Sequence, residues 1–253
     1  MDLPRDLLGE TSRDAAFAGN LLLATLSDAE RAMVSQDMEV VKLVGGEVVL
    51  NEGELTKRSL FPFNGLMVSM RRELTGGRSV EVASIGREGA VGGIISCGEA
   101  PTFTQAVVQL PGSAALIPLN VLDEAKQRSD HVRNLFCRYS DALLAQVMQS
   151  VACNAFHPIE ARAARWLLHA QDRAGSDRLE LTQESLAGLL GVQRTTVNAV
   201  ARVLQEQNLI AYRRGAIQVI NRPGLQKVSC DCYTAVEKHY QRVLGPTGNG
   251  TPA

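Results

Sequence analysis

Polar and cationic side chains recur at helical spacing on one side of residues 193–207. The set contains hydrogen-bond donors, acceptors and positive charge but no carboxylate. Guanidinium and amide groups of this kind can pair with base edges, so the pattern favours a helix that enters the major groove of DNA. Its members are Gln193, Arg194, Thr195, Asn198 and Arg202.

The residues around this helix predict a helix-turn-helix. The hydroxyl of Thr182 can accept an unpaired backbone N–H and so begin a first helix. The small side chain of Ala187 lets two helices cross closely, and Gly191 can adopt the positive φ of the turn between them. An ordinary helical hairpin that packs on itself is the alternative that the pattern leaves open. The stripe that would face the first helix is formed by Val197, Val200 and Leu204.

Two short strand-like segments, 209–212 and 216–220, follow the second helix. They are joined at Arg213-Arg214-Gly215, where the glycine permits a tight turn. A basic hairpin tip directly after such a helix is well placed to touch a phosphate backbone. We call residues 209–220 the wing and predict that Arg213 and Arg214 contact DNA.

The composition limits the class of protein. A chain of 253 residues, 45% of them apolar, can bury a substantial core and is long enough for two domains. No apolar run approaches the length of a membrane span and the N-terminus is acidic and polar, so we expect no membrane insertion and no secretion signal. The five cysteines are scattered and odd in number, which indicates a reducing, cytoplasmic compartment.

Charge is distributed unevenly along the chain. The overall net charge is −1, but residues 1–155 carry a net charge of −5 and residues 156–227 a net charge of +4. Only the C-terminal part carries the net positive charge that favours binding to nucleic acid, and nucleic acid would mildly repel the rest.

The first 118 residues predict mainly β-structure. Ser27-Asp28-Ala29-Glu30 is a capping box that begins a helix ending near Gln36. Short strand-like pieces separated by glycine follow, which is typical of a jelly roll or a small barrel. A hairpin turn is expected at Thr75-Gly76-Gly77. The predicted strands are 40–44, 47–50, 66–72 and 78–85.

Helices are predicted between the β-region and the helix-turn-helix. Asn120 can cap a short helix to about residue 127, and Ser129 a long one to about residue 156, which Pro158 ends. A further helix is predicted from Ile159 to Arg173. The long helix carries an apolar stripe that favours pairing with a second copy, although packing on its own β-domain remains open. The stripe comprises Val132, Phe136, Tyr139, Leu143 and Val147, continuing to Val151.

The order of elements, together with GLLGVQRTTVNAVARVLQEQNLI (188–210) and EARAARWLLHAQDR (160–173), resembles the Crp/Fnr family of transcription regulators. The resemblance implies an α+β fold: an N-terminal β-roll like the cyclic-nucleotide-binding jelly roll, a long dimerisation helix, and a C-terminal winged helix-turn-helix. The expected divisions are a sensor domain (1–118), a helix and hinge (119–157), a DNA-binding domain (158–230), and a helical tail with a disordered end (231–253).

The resemblance also implies partners and residue roles. A homodimer would read a palindromic operator in double-stranded DNA, and RNA polymerase is a further expected partner. The base-reading positions of the family correspond here to Arg194, Thr195 and Ala199. Phosphate contacts are implied for Gln193, Thr196 and Arg202.

The cyclic-nucleotide pocket of the family is degenerate in this chain. Where family members carry a ribose-binding glutamate and a phosphate-binding arginine, this chain has Gly93 and Thr104. No Lys or Arg occurs from Glu88 to Ala125, although glycine N–H groups can still hold a phosphate. We therefore expect a regulator that is not controlled by cyclic AMP, with gating by a cyclic nucleotide or another small ligand as the alternative. The pocket residues would be Glu88, Gly92, Gly93, Thr104 and Gln105.

The cysteines lack the clustered spacing of an iron–sulfur site, and we predict no cofactor. Cys153 and His157 lie four apart on one helix face, and Cys230-Asp231-Cys232 is tight for a structural zinc motif. A composite site of these four residues is geometrically possible. Buried, inert thiols are the interpretation that the spacing favours.

No catalytic motif is found, so an enzyme is not expected. A protein-binding scaffold is the alternative of another class, but such a helix should expose apolar anchors, whereas helix 193–207 exposes Gln, Arg, Thr and Asn. Residues 225–244 predict a tail helix that packs on the DNA-binding domain, followed by a disordered end.

Overall fold

The computed structural model describes residues 10–75, 78–94, 100–213 and 215–245 of the chain. The expected turn at Gly76-Gly77, Cys97, Arg214 of the wing tip and the C-terminal residues 246–253 lie outside the described residues. Within the described part, no helix is long and apolar enough to cross a membrane.

The N-terminal half is a β-roll preceded by three short helices. Ser27 begins α3 as predicted, because its hydroxyl accepts the N–H of Glu30 while the Glu30 carboxylate accepts the N–H of Ser27. The elements are α1 (Glu10–Gly19), α2 (Leu21–Ala24), α3 (Asp28–Ser35), β1 (Glu39–Leu43), β2 (Val48–Leu50), β3 (Arg58–Phe63), β4 (Met67–Leu74), β5 (Arg78–Ile85), β6 (Gln105–Leu110) and β7 (Gly112–Pro118).

The strands form two antiparallel sheets, ordered β1-β7-β3 and β2-β6-β4-β5. Alternation along β4 explains how this part joins the rest of the molecule. Leu66 and Val68 face the interior of the roll, whereas Met67 between them packs into the core of the C-terminal part. One strand therefore contributes to two hydrophobic cores.

The C-terminal half is helical with a small sheet. Its elements are α4 (Leu119–Arg128), α5 (Asp130–Phe156), α6 (Ile159–Ala174), β8 (Arg178–Leu179), α7 (Gln183–Leu190), α8 (Arg194–Glu206), β9 (Ile210–Arg213), β10 (Ala216–Val219), α9 (Arg222–Val228) and α10 (Cys232–Leu244). The α+β class and the order β-roll, long helix, winged helix-turn-helix are confirmed. The strand β8, which pairs with β10, escaped the sequence analysis because two residues carry no periodicity.

Two predicted features at the helix ends differ from the structure. Asn120 does not cap α4, because the chain is already helical at Leu119 and Pro118 occupies the cap position. The predicted tail helix is broken, since Ser229 is extended and separates α9 from α10. Ser129 caps α5 as expected, by accepting the N–H of Val132.

The apolar stripe on the first half of α5 packs on the chain's own β-roll. Val132, Phe136 and Tyr139 are buried in the core that also contains the first helices and β3. The Tyr139 hydroxyl donates to the carbonyl of Ala90 and accepts its N–H, both at 3.0 Å. The assignment of Val132, Phe136 and Tyr139 to the dimer interface is therefore wrong. Leu143, which packs beside them, and Val147 are half-buried, and their assignment stays a prediction.

The tail helix α10 also departs from its predicted place. Tyr233 at its start packs in the core of the DNA-binding part, as expected. Tyr240 and Leu244 near its end pack instead against the core of the β-roll and α5. The tail therefore spans both halves, because its spacing-four stripe is long enough to reach across the junction.

Ser129 links the cap of α5 to Glu30 of α3. Its hydroxyl donates to Glu30 Oε1, and Ser27 contributes a backbone and a hydroxyl donor to the same carboxylate. Burial raises the pKa of Glu30, but the hydrogen bonds from Ser129 and Ser27 outweigh it and lower the pKa to about 2. The stabilisation that comes from this depressed pKa is present above the ordinary value of 4.5 and is lost as pH falls towards 2.

Replacement of Ser129 by Ala should destabilise the fold by about 1 kcal/mol through the lost cap, and further through the lost bond to Glu30. The second contribution should shrink on acidification, because the variant raises the pKa of Glu30 towards its ordinary value. Urea unfolding at neutral pH and at about pH 3 measures both contributions. Ser140→Ala is the control, since that hydroxyl on α5 only donates to the Phe136 carbonyl. A Ser129→Ala cost that is the same at both pH values would contradict the link to Glu30.

Candidate DNA-binding interface

The helix-turn-helix forms from the residues that the sequence indicated. Thr182 caps α7 by accepting the N–H of Ser185 at 3.0 Å. Gly191 ends α7 with φ +67°, a conformation that glycine adopts without strain. The turn then leads directly into α8, whose first helical residue is Arg194.

The two faces of α8 are divided as expected. Its apolar face, Val197, Val200 and Leu204, is buried in the core that α6, α7 and the wing share. Thr196 is half-buried at the boundary between the faces, and Ala199 is exposed. The predicted contact residues that are exposed to solvent are Gln193, Arg194, Thr195, Asn198 and Arg202.

Two carboxylates lie beside this polar face, a feature that the sequence analysis missed. Glu184 of α7 is 3.8 Å from the Arg194 guanidinium, and Glu206 accepts from Arg202 at 2.8 Å. Both pairs are exposed, so each contributes little to stability. Their effect is to orient the guanidinium groups before any ligand arrives. Spacing within α8 reveals the second pair, but only the packed structure reveals the first.

The wing is a hairpin of β9 and β10 in which Ala216 pairs with Arg213. Gly215 has φ +81°, as the tight turn requires. The side chain of Arg213 is exposed at the end of β9. The wing is fixed to α8 by Gln205, whose amide oxygen accepts the N–H of Tyr212 at 3.0 Å. A basic strand end is therefore held beside the polar face of α8.

Residues 161–228 match the family of Crp-like helix-turn-helix domains. The chain carries a Crp-like helix-turn-helix domain. The transcriptional regulator Cmr of Mycobacterium tuberculosis is 33% identical to this chain over 69 residues, which is 27% of this chain and 27% of that protein. The chain thus matches about a quarter of the length of this curated relative.

Solved structures extend the similarity to the rest of the fold. FixK2 of Bradyrhizobium japonicum is 18% identical with a TM-score of 0.66, covering 76% of this chain and 98% of that one. A CRP-family transcriptional regulator from Thermus thermophilus is 17% identical with a TM-score of 0.63, covering 75% of this chain and 96% of that one. The chain therefore has the Crp/Fnr fold, and the Crp-like domain occupies its C-terminal part.

The Crp-like domain is docked on the β-roll through buried polar groups. The Arg173 guanidinium of α6 donates from Nε to Glu88 Oε1 at 2.6 Å and from Nη2 to Gln146 Oε1 at 3.2 Å. Gln146 in turn donates to the Ser84 carbonyl and accepts from Tyr240. Burial lowers the pKa of Arg173, but the charge of Glu88 outweighs this and raises it. We call Glu88, Arg173, Gln146 and Tyr240 the junction network.

Glu88, one of the predicted pocket residues, pairs with Arg173 at this junction. Its carboxylate is directed to α6, because Arg173 is the cation that compensates its burial. The other assigned residues, Gly92, Gly93, Thr104 and Gln105, remain in the β-roll. Gly93 has φ +64°, which glycine adopts without strain, and a β-carbon there would contact the Leu119 side chain. An acidic side chain at this position would need both a strained backbone and a shift of Leu119.

The turn of the Crp-like domain also touches the β4–β5 hairpin. A β-carbon on Gly191 would lie 3.2 Å from Val80. Around this contact lies an open cleft lined by Leu74, Ser79, Asn154 and the first residue of α8, Arg194. In addition, Trp166 of α6 donates its indole N–H to Glu81 of β5 at 2.8 Å. The position of α8 is thus set by contacts of the Crp-like domain with the strands β4 and β5.

A second apolar stripe on α5 is exposed. Leu144, Met148 and Val151 are 52%, 61% and 66% exposed and follow one another at intervals of four and three residues. Such spacing is typical of the seam of a two-helix coiled coil. The predicted stripe ran from Val132 to Val151 and shares Val151 with this exposed one, because periodicity alone does not say which face the β-roll covers.

Four potential metal ligands converge beside the hinge between α5 and α6. The ligand atoms of Cys153, His157, Cys230 and Cys232 all lie within 4.8 Å of one another. Burial and the adjacent Cys153 thiol raise the pKa of Cys230 to about 12, and burial also raises that of Cys232. The sequence left this composite site open and favoured inert thiols. The geometry favours the site.

Replacement of Glu88 by Gln should destabilise the fold by roughly 3 kcal/mol, because the Arg173 charge would stay buried without its counter-charge. Urea unfolding at neutral pH measures this cost. Glu124→Gln is the matched control, since the Glu124–Arg128 pair at 3.0 Å is more than half exposed and should cost less than about 1 kcal/mol. Equal costs for the two variants would refute the structural role of the junction network.

Proposed function

We propose that this protein is a homodimeric, sequence-specific DNA-binding transcription regulator of the Crp/Fnr type that acts in the cytoplasm. The observation that carries the proposal is the Crp-like domain, with an exposed polar and cationic face on α8 next to a basic wing. RNA polymerase is the expected further partner of such a regulator.

The geometry supports a division of roles on the DNA. Arg194 stands at the N-terminus of α8 and can form a bidentate pair with guanine. Thr195 and Ala199 lie on the same exposed face and complete the base-reading set. Gln193, Asn198 and Arg202 flank them, while Arg213 of the wing is placed for phosphate contacts. An operator with guanine under Arg194 in each half-site follows from this arrangement.

The alternative of a protein-binding scaffold is disfavoured by the same face. A protein-binding helix should bury large apolar anchors in its partner. On α8, Val203 is the large apolar side chain that is exposed, at 40%, and it is surrounded by polar groups. This face is better suited to a charged, hydrated ligand such as DNA.

Control by cyclic AMP in the manner of the cyclic-nucleotide-binding members is not part of the proposal. Thr104 stands where a phosphate would need a cation, and Leu119 occupies the space beside Gly93. The junction network joins the Crp-like domain to the β-roll through side chains of the chain itself. A small ligand of another kind remains the alternative, and it would have to act on the same junction.

Dimerisation is proposed through the exposed stripe of α5. Leu144, Met148 and Val151 extend along about two helical turns, and the stripe ends close to the hinge at His157. A second copy packed in parallel would bury these side chains and would bring two recognition helices to the same side of the dimer. A palindromic operator has two half-sites and therefore requires two DNA-binding domains.

Selection of bound DNA from a random pool, with the full chain and no added nucleotide, tests the function. We expect a palindrome whose half-sites contain guanine. Arg194→Ala should remove the guanine preference, a loss of about 1–3 kcal/mol or roughly ten- to hundredfold in discrimination. Addition of cyclic AMP should change neither affinity nor sequence preference. DNA binding that depends on cyclic AMP would contradict the proposed control.

Arg213→Ala is the matched comparison, because this arginine is assigned to phosphates. It should weaken binding to all sequences about equally and should lower the dependence of affinity on salt, by about one unit of slope. Fluorescence anisotropy over a salt series measures both effects. A loss confined to one sequence would instead place Arg213 on a base.

Leu144→Glu should convert the dimer into a monomer, because two carboxylates would face each other in a buried seam. Analytical ultracentrifugation measures the change at micromolar concentration. Val44→Glu is the control, since Val44 is 67% exposed on the β-roll away from α5; this variant should stay dimeric. A Leu144→Glu protein that remains dimeric would show that the chains pair elsewhere.

A further inference from the structure

Two segments that are far apart in the sequence bring three thiols and an imidazole together at the hinge. Cys153 lies in the last turn of α5 and His157 caps that helix, donating its N–H to the Cys153 carbonyl. Cys230 and Cys232 flank Asp231 between α9 and α10. Because Asp231 has an αR backbone, the tripeptide folds compactly and both its thiols pack against Cys153.

The distances among these groups are those of ligands around a single ion. Cys153 Sγ lies 3.5 Å from Cys230 Sγ, and Cys232 Sγ lies 3.4 Å from His157 Nδ1. Thiolates held at about 2.3 Å from a tetrahedral centre stand roughly 3.8 Å apart, and a thiolate and an imidazole slightly closer. All four ligand atoms fall within 4.8 Å of one another, which leaves room for one ion.

The surroundings also have the character of a metal site. His157 presents Nδ1 to the thiols, and its Nε2 faces Asp231 Oδ1 at 3.6 Å, on the side where a ligating imidazole commonly has a carboxylate partner. The Gln149 amide donates to Cys232 Sγ at 3.0 Å, as amides do to ligating sulfur. Cys153 and Cys232 are almost fully buried, so the site is closed in the way of structural zinc.

The positive charge of Arg162 near the cluster also favours a metal site. Arg162 of α6 is close enough to Cys153 and Cys230 for their charges to interact, and its buried Nε has no hydrogen-bond partner among the described residues. Three thiolates and a divalent ion carry a formal charge of −1. The half-buried guanidinium of Arg162, which also donates to the Leu190 carbonyl, therefore fits beside a loaded site of that charge.

We propose that Cys153, His157, Cys230 and Cys232 form a Cys₃His site for one Zn²⁺ ion per chain. Binding replaces the protons of the three thiols, which pass to solvent, so that three S–Zn bonds and one N–Zn bond form without any redox change. The ion joins the end of α5 to the segment between α9 and α10. It thereby fixes the hinge between α5 and α6, which leads into the Crp-like domain.

The test begins with metal content. The untagged full chain, purified under reducing conditions, should contain about one zinc per chain by elemental mass spectrometry. Cys230→Ser and Cys232→Ser should each lower zinc affinity at least about tenfold, as removal of a ligand requires. Cys137→Ser is the matched control, because Cys137 is an exposed cysteine on α5 outside the cluster; it should retain the metal.

Replacement of zinc by Co²⁺ gives a readout that does not depend on stability. The wild-type and Cys137→Ser proteins should show thiolate-to-cobalt charge-transfer absorption, and it should weaken in Cys230→Ser. Asp231→Asn should keep the spectrum but lower affinity about tenfold or more, as expected for a group that positions His157. Circular dichroism confirms that each variant is folded.

Three outcomes would overturn the proposal. They are a reduced chain that takes up neither zinc nor cobalt, an iron–sulfur absorption spectrum, and a Cys153–Cys230 disulfide in protein isolated from reducing cells. None of these measurements involves DNA. Failure of the metal site is therefore distinguishable from failure of the proposed regulatory function.

Discussion

The buried guanidinium of Arg173 is the group on which the arrangement of the two halves depends. A cation this deep costs several kcal/mol unless its partners are supplied by the protein. Glu88 supplies the counter-charge from the β-roll, and Gln146 supplies an oxygen from α5. Since Arg173 itself belongs to α6 of the Crp-like domain, the domain cannot move away from the roll without separating this pair. The orientation of the recognition helix follows from it.

The long helix α5 is used on three sides. Tyr139 and its apolar neighbours pack on the β-roll, and Gln146 enters the junction network. Leu144, Met148 and Val151 are exposed and form the face through which we propose that two chains pair. A change in the packing of the roll would reach both the junction and this face, because both lie on the same helix.

Much of the C-terminal fold could be predicted from the sequence because its signals are local. Thr182 begins a helix and Gly191 ends one through their own side-chain and backbone chemistry, and both do so in the structure. The polar face of α8 was likewise predictable, since it needs only the helical period. The β-roll was predicted as a class, although β3, β6 and β7 were not individually delimited.

The contacts between the two halves of the chain were predicted less well. The stripe through Val132 and Tyr139 has the right period for a coiled coil, but a β-roll in contact with the same helix buries it first. Glu88 sits in a glycine-rich segment that resembles a pocket, and only the approach of α6 shows that it pairs with Arg173. Asn120 has the chemistry of a cap, yet the cap position is taken two residues earlier by Pro118. Long-range pairing is not encoded in local periodicity.

The hinge between α5 and α6 is linked to the helix-turn-helix by one side chain, Arg162. Arg162 lies between the thiol cluster and the recognition motif, because its Nη2 donates to the carbonyl of Leu190, the last residue of α7, at 2.8 Å. That carbonyl is one of the unpaired groups at a helix C-terminus, so the bond fixes the end of the first helix of the motif. Cys153 and Cys230 lie close enough to the same guanidinium for their charges to interact with it. The thiol cluster at the hinge and the first helix of the helix-turn-helix are therefore connected through the Arg162 side chain.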